Sequence, residues 1–238
     1  MEIHLHNISI FSSSFLHIFF KGNNIEQVFR QLLTKYPVKG EFEKTSEYEK
    51  KVSSITYNDI YAFKIDYDNT LDFEYDPDNE LLIIDLKTTQ ITNPNSSSGS
   101  PKEPGQLFRE DIIAIKTVGD KVSSYIGTNA FGAKKVIKKN TGVIYGLIPK
   151  EKIDWISINM KPAEAKKYKK ALKVLLICKT YTPDKLYPPA FTGAYYFSPT
   201  FSEPIEMNYV AKIINVEILE LRIYDYNTGK ILGKREFY

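Results

Sequence analysis

Apolar residues recur at every second position over most of the chain beyond residue 60. The first three such runs are Tyr61–Ile65, Leu71–Tyr75 and Leu81–Leu86, and Asp-Pro-Asp-Asn stands between the last two. A period of two places alternate side chains on one side of a strand, and Pro flanked by Asp and Asn is typical of a turn. The sequence therefore predicts a β-hairpin made by the second and third runs.

Comparable runs continue to the C-terminus and are interrupted by Gly, Asn or Pro at intervals of about ten residues. The last two are separated by Asn227-Thr228-Gly229-Lys230, a sequence typical of a hairpin turn. We predict strands over residues 111–118, 122–128, 134–138, 142–148, 153–160, 174–181, 209–226 and 231–237.

Two helices are predicted near the N-terminus. Asn23 or Asn24 can cap a helix whose Ile, Val, Phe and Leu residues follow helical spacing and which ends before Pro37. A second helix is expected to begin at Thr45 or Ser46 and to run to about residue 54, because Ser46 and Glu49 have the spacing of a capping box. With one lysine-rich helix further on, the predicted fold class is α+β with predominantly antiparallel sheets.

Residues 88–106 consist almost entirely of Thr, Asn, Ser, Gly and Pro, which favour loops. We interpret them as a flexible loop or a linker. The expected organisation is an N-terminal lobe over residues 1–87 and a β-rich lobe over residues 107–238, with one continuous domain as the alternative.

The N-terminal segment Ile8–Phe20 has the length and apolar character of a signal-peptide core, yet Glu2 precedes it and no small-residue cleavage site follows. A secreted chain and a buried N-terminal strand both remain open, so localisation in the envelope or the cytoplasm is not resolved. The segment is too short to span a bilayer as a helix.

Charge is distributed unevenly along the sequence. Residues 41–80 contain 12 acids and four lysines, whereas residues 134–173 contain 12 lysines and three acids. Such segregation can steer an anionic partner, a membrane surface or a second copy of the chain. The alternative is that each face is simply hydrated, or that the two halves attract each other within the fold. Only four of the 32 basic residues are Arg, so sequence-specific recognition of nucleic acid is not expected.

The lysine-rich helix is predicted from Pro162 to about Leu172. One of its faces is apolar and the other is basic, which makes the basic face a candidate for contact with an anionic surface. The candidate binding residues are Lys166, Lys167, Lys169 and Lys170.

The most aromatic segment is residues 187–201. If this segment is exposed, Tyr195, Tyr196 and Phe197 form a platform for a sugar, a peptide or a partner protein. If it is buried, it is a loop folded over the core.

Seven carboxylates lie between residues 66 and 80, and an oxygen-rich cluster of this kind can hold a hard cation. Asp66, Asp68 and Asp72 are the candidate ligands, although the spacing does not fit an EF-hand. The alternative is a solvated face of the predicted hairpin.

Other catalytic chemistry has little support. The three histidines, His4, His6 and His17, all precede residue 20, and Cys178 lies in an apolar run that favours a buried thiol. The sequence contains none of the phosphate-binding, dinucleotide-binding or hydrolase fingerprints. We predict no cofactor.

Residues 39–51 resemble a sequence motif found in uncharacterised bacterial proteins, several of them associated with the cell envelope. In this chain the segment reads Lys-Gly-Glu-Phe-Glu-Lys-Thr-Ser-Glu-Tyr-Glu-Lys-Lys. In those proteins a strand of this type leads into a helix. The resemblance implies a bacterial origin and brings no activity. Together these observations favour a non-enzymatic bacterial interaction protein that acts through its charged faces. The alternative is a carboxylate-dependent, metal-assisted enzyme acting on a sugar or a phosphate compound.

Overall fold

The computed structural model describes residues 22–37, 39–56, 59–66, 70–93, 108–153, 155–168, 170–182 and 188–237. The predicted N-terminal segment 8–20, all three histidines, Asp68 and Lys169 lie outside these residues. The elements are α1 Ile25–Lys35, α2 Thr45–Ser53, β1 Ile60–Lys64, β2 Leu71–Asp76, β3 Leu81–Leu86, β4 Thr89–Asn93, β5 Phe108–Thr128, β6 Lys134–Pro149, β7 Ile156–Asn159, α3 Pro162–Tyr168, β8 Leu172–Thr180, β9 Ala190–Phe197, β10 Ile205–Asp225 and β11 Ile231–Glu236. The α+β class with mostly antiparallel pairing is confirmed.

The helix α1 begins where the sequence predicts. The side chain of Asn24 accepts hydrogen bonds from the backbone of Glu26 and Gln27. Asn23 instead bonds to the edge of β1, because its backbone N–H donates to the carbonyl of Ala62 and its Oδ1 accepts from the Ala62 N–H. The two adjacent asparagines therefore have different roles. Asn24 caps α1, and Asn23 closes the edge of β1.

Five strands form a closed ring in the order β4-β5-β6-β10-β9, and β9 returns to β4 through the pairing of Thr92 with Ala194. The pair β6–β10 is parallel and the other four pairs are antiparallel.

The inside of the barrel is a packed core. Gly146 lies at its wall, and a Cβ there would approach the Ile113 carbonyl oxygen to 3.1 Å. Close packing therefore requires a glycine at position 146. The buried residues of this core are Ile91, Ile112, Ala114, Ile144, Phe191, Ala211 and Ile213.

The strand β10 continues beyond the barrel and joins it to the rest of the molecule. Its second half pairs with β8 on one side and β11 on the other, and β8 pairs with β1. A separate sheet has the order β2-β3-β7. Both helices α1 and α2 share a single large apolar core with these strands. Strands from both sides of residues 88–106 pair with each other in the two sheets.

Several predicted boundaries are wrong. Part of the expected linker, Thr89–Asn93, is the strand β4, because it completes the barrel beside β5. The expected strands 111–118 and 122–128 are one strand, as are 134–138 and 142–148. Gly142, the first residue of the second predicted strand in that pair, packs closely against Tyr209 and lies inside the continuous strand β6.

The helices also differ from expectation in two places. The lysine-rich helix ends at Tyr168, before the predicted Leu172, because the next residues enter the sheet and the Ala171 carbonyl accepts from the Tyr226 N–H at 2.7 Å. In α2 the capping box does not form, since the N-cap residue is Lys44 and no side chain caps this helix. In the segment that the resemblance implies to be a strand, residues 41 and 42 form a turn, which the Glu43 N–H closes by donating to the Gly40 carbonyl at 3.1 Å.

Candidate interaction site

The hairpin of β5 and β6 extends past the barrel as an arm, which we define as residues 119–141. At its base, residues 138–141 of β6 also pair with residues 205–208 of β10, and beyond them the arm is two-stranded. The strands leave the barrel at Gly119, where a bulge shifts the register and the backbone φ is +68°. A left-handed residue in a bulge bends the strand and increases its twist, and glycine adopts this φ without strain. The bulge therefore sets the direction in which the arm leaves the barrel.

The tip of the arm is a defined turn. The side-chain oxygen of Asn129 accepts hydrogen bonds from the Phe131 N–H at 3.0 Å and the Ala133 N–H at 2.9 Å. Gly132 has a φ of +80°, a conformation that suits glycine. The turn leaves the Phe131 ring 94% exposed, a large apolar group held in water by an ordered loop.

One face of the arm is braced against the start of β10. The Tyr125 hydroxyl donates to Glu206 Oε2 at 2.6 Å, and Lys139 Nζ lies 2.7 Å from Oε1 of the same carboxylate. Hydrogen bonds from Lys139 and then Tyr125 lower the pKa of Glu206, and burial acts in the opposite direction. The hydrogen bond to this carboxylate also raises the pKa of Tyr125. The arm is thus fixed by charge-assisted hydrogen bonds.

A second contact supports the same face nearer the tip. Lys135 Nζ donates to the Phe201 carbonyl at 2.6 Å and lies 4.8 Å from the centroid of the Phe201 ring. This ring is itself exposed, so the ammonium group and the aromatic ring are presented together at the surface.

The opposite face of the arm, which we call the open face, packs against no described element. Its register places Val122 beside Asn140, Ser124 beside Lys138, and Ile126 beside Val136. The apolar side chains Val122, Ile126 and Val136 are 64%, 68% and 63% exposed. Isolated exposed apolar residues are common, but three on one short ribbon form a patch, which is typical of an interaction surface.

The open face is also basic. Lys134 and Lys138 lie on it, and neither forms an ion pair with a described residue. Over residues 119–141 the sequence has five lysines and a single acid, Asp120. This surface therefore combines apolar contact area with uncompensated positive charge.

The lysine-rich helix that the sequence predicts as a binding site is the short helix α3, and the described lysines of that site are exposed to solvent. Lys166, Lys167 and Lys170 are exposed, and Lys167 Nζ lies 5.0 Å from the ring centroid of Tyr168. The described part of the helix offers charge without a large exposed apolar side chain, because Tyr168 and Ala165 are buried.

The residues of the predicted aromatic platform lie on two different sides of a strand, because side chains alternate along it. The segment is neither an exposed loop nor a loop folded over the core, because Ala190–Phe197 pairs with β10 as β9. Tyr195 faces the barrel mouth, where its ring centroid lies 6.2 Å from that of Tyr209. Tyr196 points to the other side and is 58% exposed. The three predicted aromatic residues therefore do not form one surface.

The candidate metal ligands lie on different elements. Asp66 follows β1 and pairs with Lys64 at 2.9 Å, while Asp72 lies in β2 and pairs with Lys87 at 2.7 Å, which lowers the pKa of Asp72. In the described part of the chain no group of three or more His, Cys, Asp or Glu side chains is arranged to hold a metal. Because Asp68 lies outside those residues, the three-ligand set stays a prediction.

Cys178 is fully buried in β8, and burial raises the pKa of its thiol. This confirms the expectation of a buried thiol at this position. A protonated, inaccessible thiol is a poor nucleophile. Among the described helices, none is both long and apolar enough to cross a membrane.

The arm was missed as a site from the sequence. Its strands contain Val-Ser-Ser-Tyr-Ile-Gly-Thr and Lys-Lys-Val-Ile-Lys-Lys, in which alternation places apolar residues on both faces. These segments strongly favour strands, yet neither has a single apolar face that could pack on the core. That combination is the sequence signal that could have identified the arm.

No family model, curated protein or solved structure matches this chain.

Proposed function

We propose that this chain is a non-enzymatic interaction protein, and that the open face of the arm binds an acidic protein partner. The observation that carries the proposal is the exposure of Val122, Ile126 and Val136 on a braced ribbon that also carries unpaired lysines. Exposed apolar area supplies affinity, and complementary charge supplies selectivity and a faster encounter.

A protein partner fits the open face better than a nucleic acid does. The face carries aliphatic side chains, whereas nucleotide bases bind by stacking on aromatic rings and Arg. The arm contains no Arg, and its two aromatic residues, Tyr125 and Phe131, lie on the braced face and at the tip. Acidic side chains flanked by aliphatic ones would meet both Lys138 and Ile126.

The arm is favoured over the lysine-rich helix for the same reason. Both surfaces are basic, but of the two only the arm presents large exposed apolar side chains beside the charge. Surface charge alone contributes little to affinity at physiological ionic strength.

The test uses a synthetic peptide with the repeat Glu-Ser-Val-Ser, in which Glu and Val take turns at the odd positions and Ser occupies every even position. In an extended peptide this pattern places Glu and Val on one face, matched to the open face. Binding is measured by fluorescence anisotropy of the labelled peptide, with Lys in place of Glu as the peptide control.

We expect the double variant Lys134→Glu, Lys138→Glu to weaken binding of the peptide at least about tenfold. The matched control is Lys166→Glu, Lys167→Glu, which makes the same change of charge on α3 and is expected to alter affinity by less than about twofold. Equal losses for the two variants would show that net charge, not the arm, determines binding and would overturn the proposal.

A further inference from the structure

The outer edge of β5 in the arm has no strand partner among the described residues. Beyond Gly119, the described partner of β5 is β6 alone, since its other neighbour, β4, begins at Thr89 opposite Ile112 and runs away from the arm. Residues 122–128 contain no charged residue and no proline. An exposed strand edge of this kind is a template for pairing with another strand.

Two other strand edges in the described part of the chain are protected. The edge of β1 is closed by the two hydrogen bonds between Asn23 and Ala62. The strand β2, whose single described partner is β3, carries Asp72, Glu74 and Asp76 along its length. Charged residues and side-chain caps are the usual means of preventing edge pairing. The arm edge lacks both, which points to an occupant.

The sequence of this edge is complementary to itself. In an antiparallel pair centred on Ser124, Val122 of each copy lies opposite Ile126 of the other, and Ser123 lies opposite Tyr125. Lys121 lies opposite Gly127, so no like charges face each other. Opposed aliphatic side chains stabilise an antiparallel pair, and opposed like charges destabilise it.

We propose that two copies of this chain pair through the outer edges of β5, antiparallel, with Ser124 on the two-fold axis. The pairing joins two arms into a four-stranded ribbon and removes the unprotected edge. It also places the open faces of both copies side by side, so that the partner-binding surface is doubled. In this respect the inference rests on the proposed function, although the pairing itself does not require a third molecule.

The position of Ser124 on the two-fold axis gives a direct test of the pairing. The Cα atoms of directly opposed residues in an antiparallel pair are about 4.5–5.5 Å apart, within the range of about 4.4–6.8 Å that a disulfide spans. The variant Ser124→Cys therefore places two thiols at bonding distance in the dimer. The chain's own Cys178 is buried and does not compete.

The matched control is Ser123→Cys, the same substitution one residue away. Residue 123 lies opposite residue 125, so its own symmetry mate is diagonal at about 7–8 Å, beyond disulfide range. Both positions are exposed, so neither substitution is expected to prevent folding.

Under mild oxidation we expect the Ser124→Cys protein to form a covalent dimer at least about ten times faster than the Ser123→Cys protein. Sedimentation of the unmodified chain is expected to show a monomer–dimer equilibrium at protein concentrations below about 0.1 mM. Equal cross-linking rates, or a monomer throughout that range, would overturn the pairing. Peptide binding that survives in such a monomer would leave the proposed function intact, so the two failures are distinguishable.

Discussion

Lys139 of β6 and Glu206 at the start of β10 form an ion pair, with Nζ and Oε1 2.7 Å apart, in which the carboxylate side chain is only 10% exposed. The same carboxylate accepts a hydrogen bond from Tyr125 of β5. Both strands of the arm are therefore attached to one residue outside the arm. This attachment keeps the arm ordered while its open face remains in water.

Replacing Glu206 with Gln is expected to loosen the arm. Lys139 loses its ion pair, so the amides of residues 121–128 and 134–141 should exchange with deuterium faster, whereas those of Ile112–Ala114 inside the barrel should not change. The control is Glu217→Gln, which breaks an exposed pair with Lys150 and should leave the arm unaffected. Unchanged exchange in the arm of the Glu206 variant would contradict the bracing role.

The same attachment is expected to depend on pH. Because its pKa is lowered in the folded protein, the Glu206 carboxylate stabilises the arm above its ordinary pKa of 4.5, and this contribution disappears as the pH falls through the lowered value. The difference in arm exchange rate between the wild-type protein and Glu206→Gln should therefore be full at neutral pH and shrink below pH 4.5. A difference that grows on acidification would refute this assignment.

The closed barrel is expected to be intolerant of added volume at Gly146. A Cβ at this position would lie 2.7 Å from Ile112 Cδ1 and 3.1 Å from the Ile113 carbonyl oxygen. We expect Gly146→Ala to lower the free energy of unfolding by about 1–3 kcal/mol in urea denaturation. Gly40→Ala, where the nearest contact is an ordinary 3.4 Å, should change it by less than about 0.5 kcal/mol.

The Cys178 thiol is expected to report on unfolding. It is buried, and burial raises its pKa, so a thiol reagent such as Ellman's reagent should react only after β8 separates from its neighbours. Reaction should follow the unfolding transition in urea. Stoichiometric labelling of the native protein within seconds would show that β8 is not part of a stable core.

Much of the fold could be predicted from local patterns. The hairpin of β2 and β3 and the terminal hairpin of β10 and β11 follow from alternation and turn residues that are adjacent in sequence. The cap of α1 at Asn24 follows for the same reason.

The barrel could not be predicted in this way, because it depends on contacts between distant residues. The strand β4 is short and polar, and it becomes a strand only because β5 and β9 lie on either side of it. The parallel pairing of β6 with β10 joins residues more than sixty positions apart. No local pattern contains that information.

The candidate site was missed for a related reason. A charge count identified the basic region, but only the structure shows that Lys134 and Lys138 lie beside exposed aliphatic residues while Lys166 and Lys167 do not. Whether a lysine belongs to a binding surface depends on its neighbours across the sheet, and these are fixed by register.

The measurement that tests the central claim most directly is an NMR titration of the isotope-labelled protein with the alternating Glu and Val peptide. Binding at the open face predicts chemical-shift changes concentrated in residues 121–128 and 134–138, and no comparable changes in α3 or in the acidic hairpin of β2 and β3. Shifts concentrated in α3, or spread evenly over all exposed lysines, would contradict the assignment of the arm as the binding element.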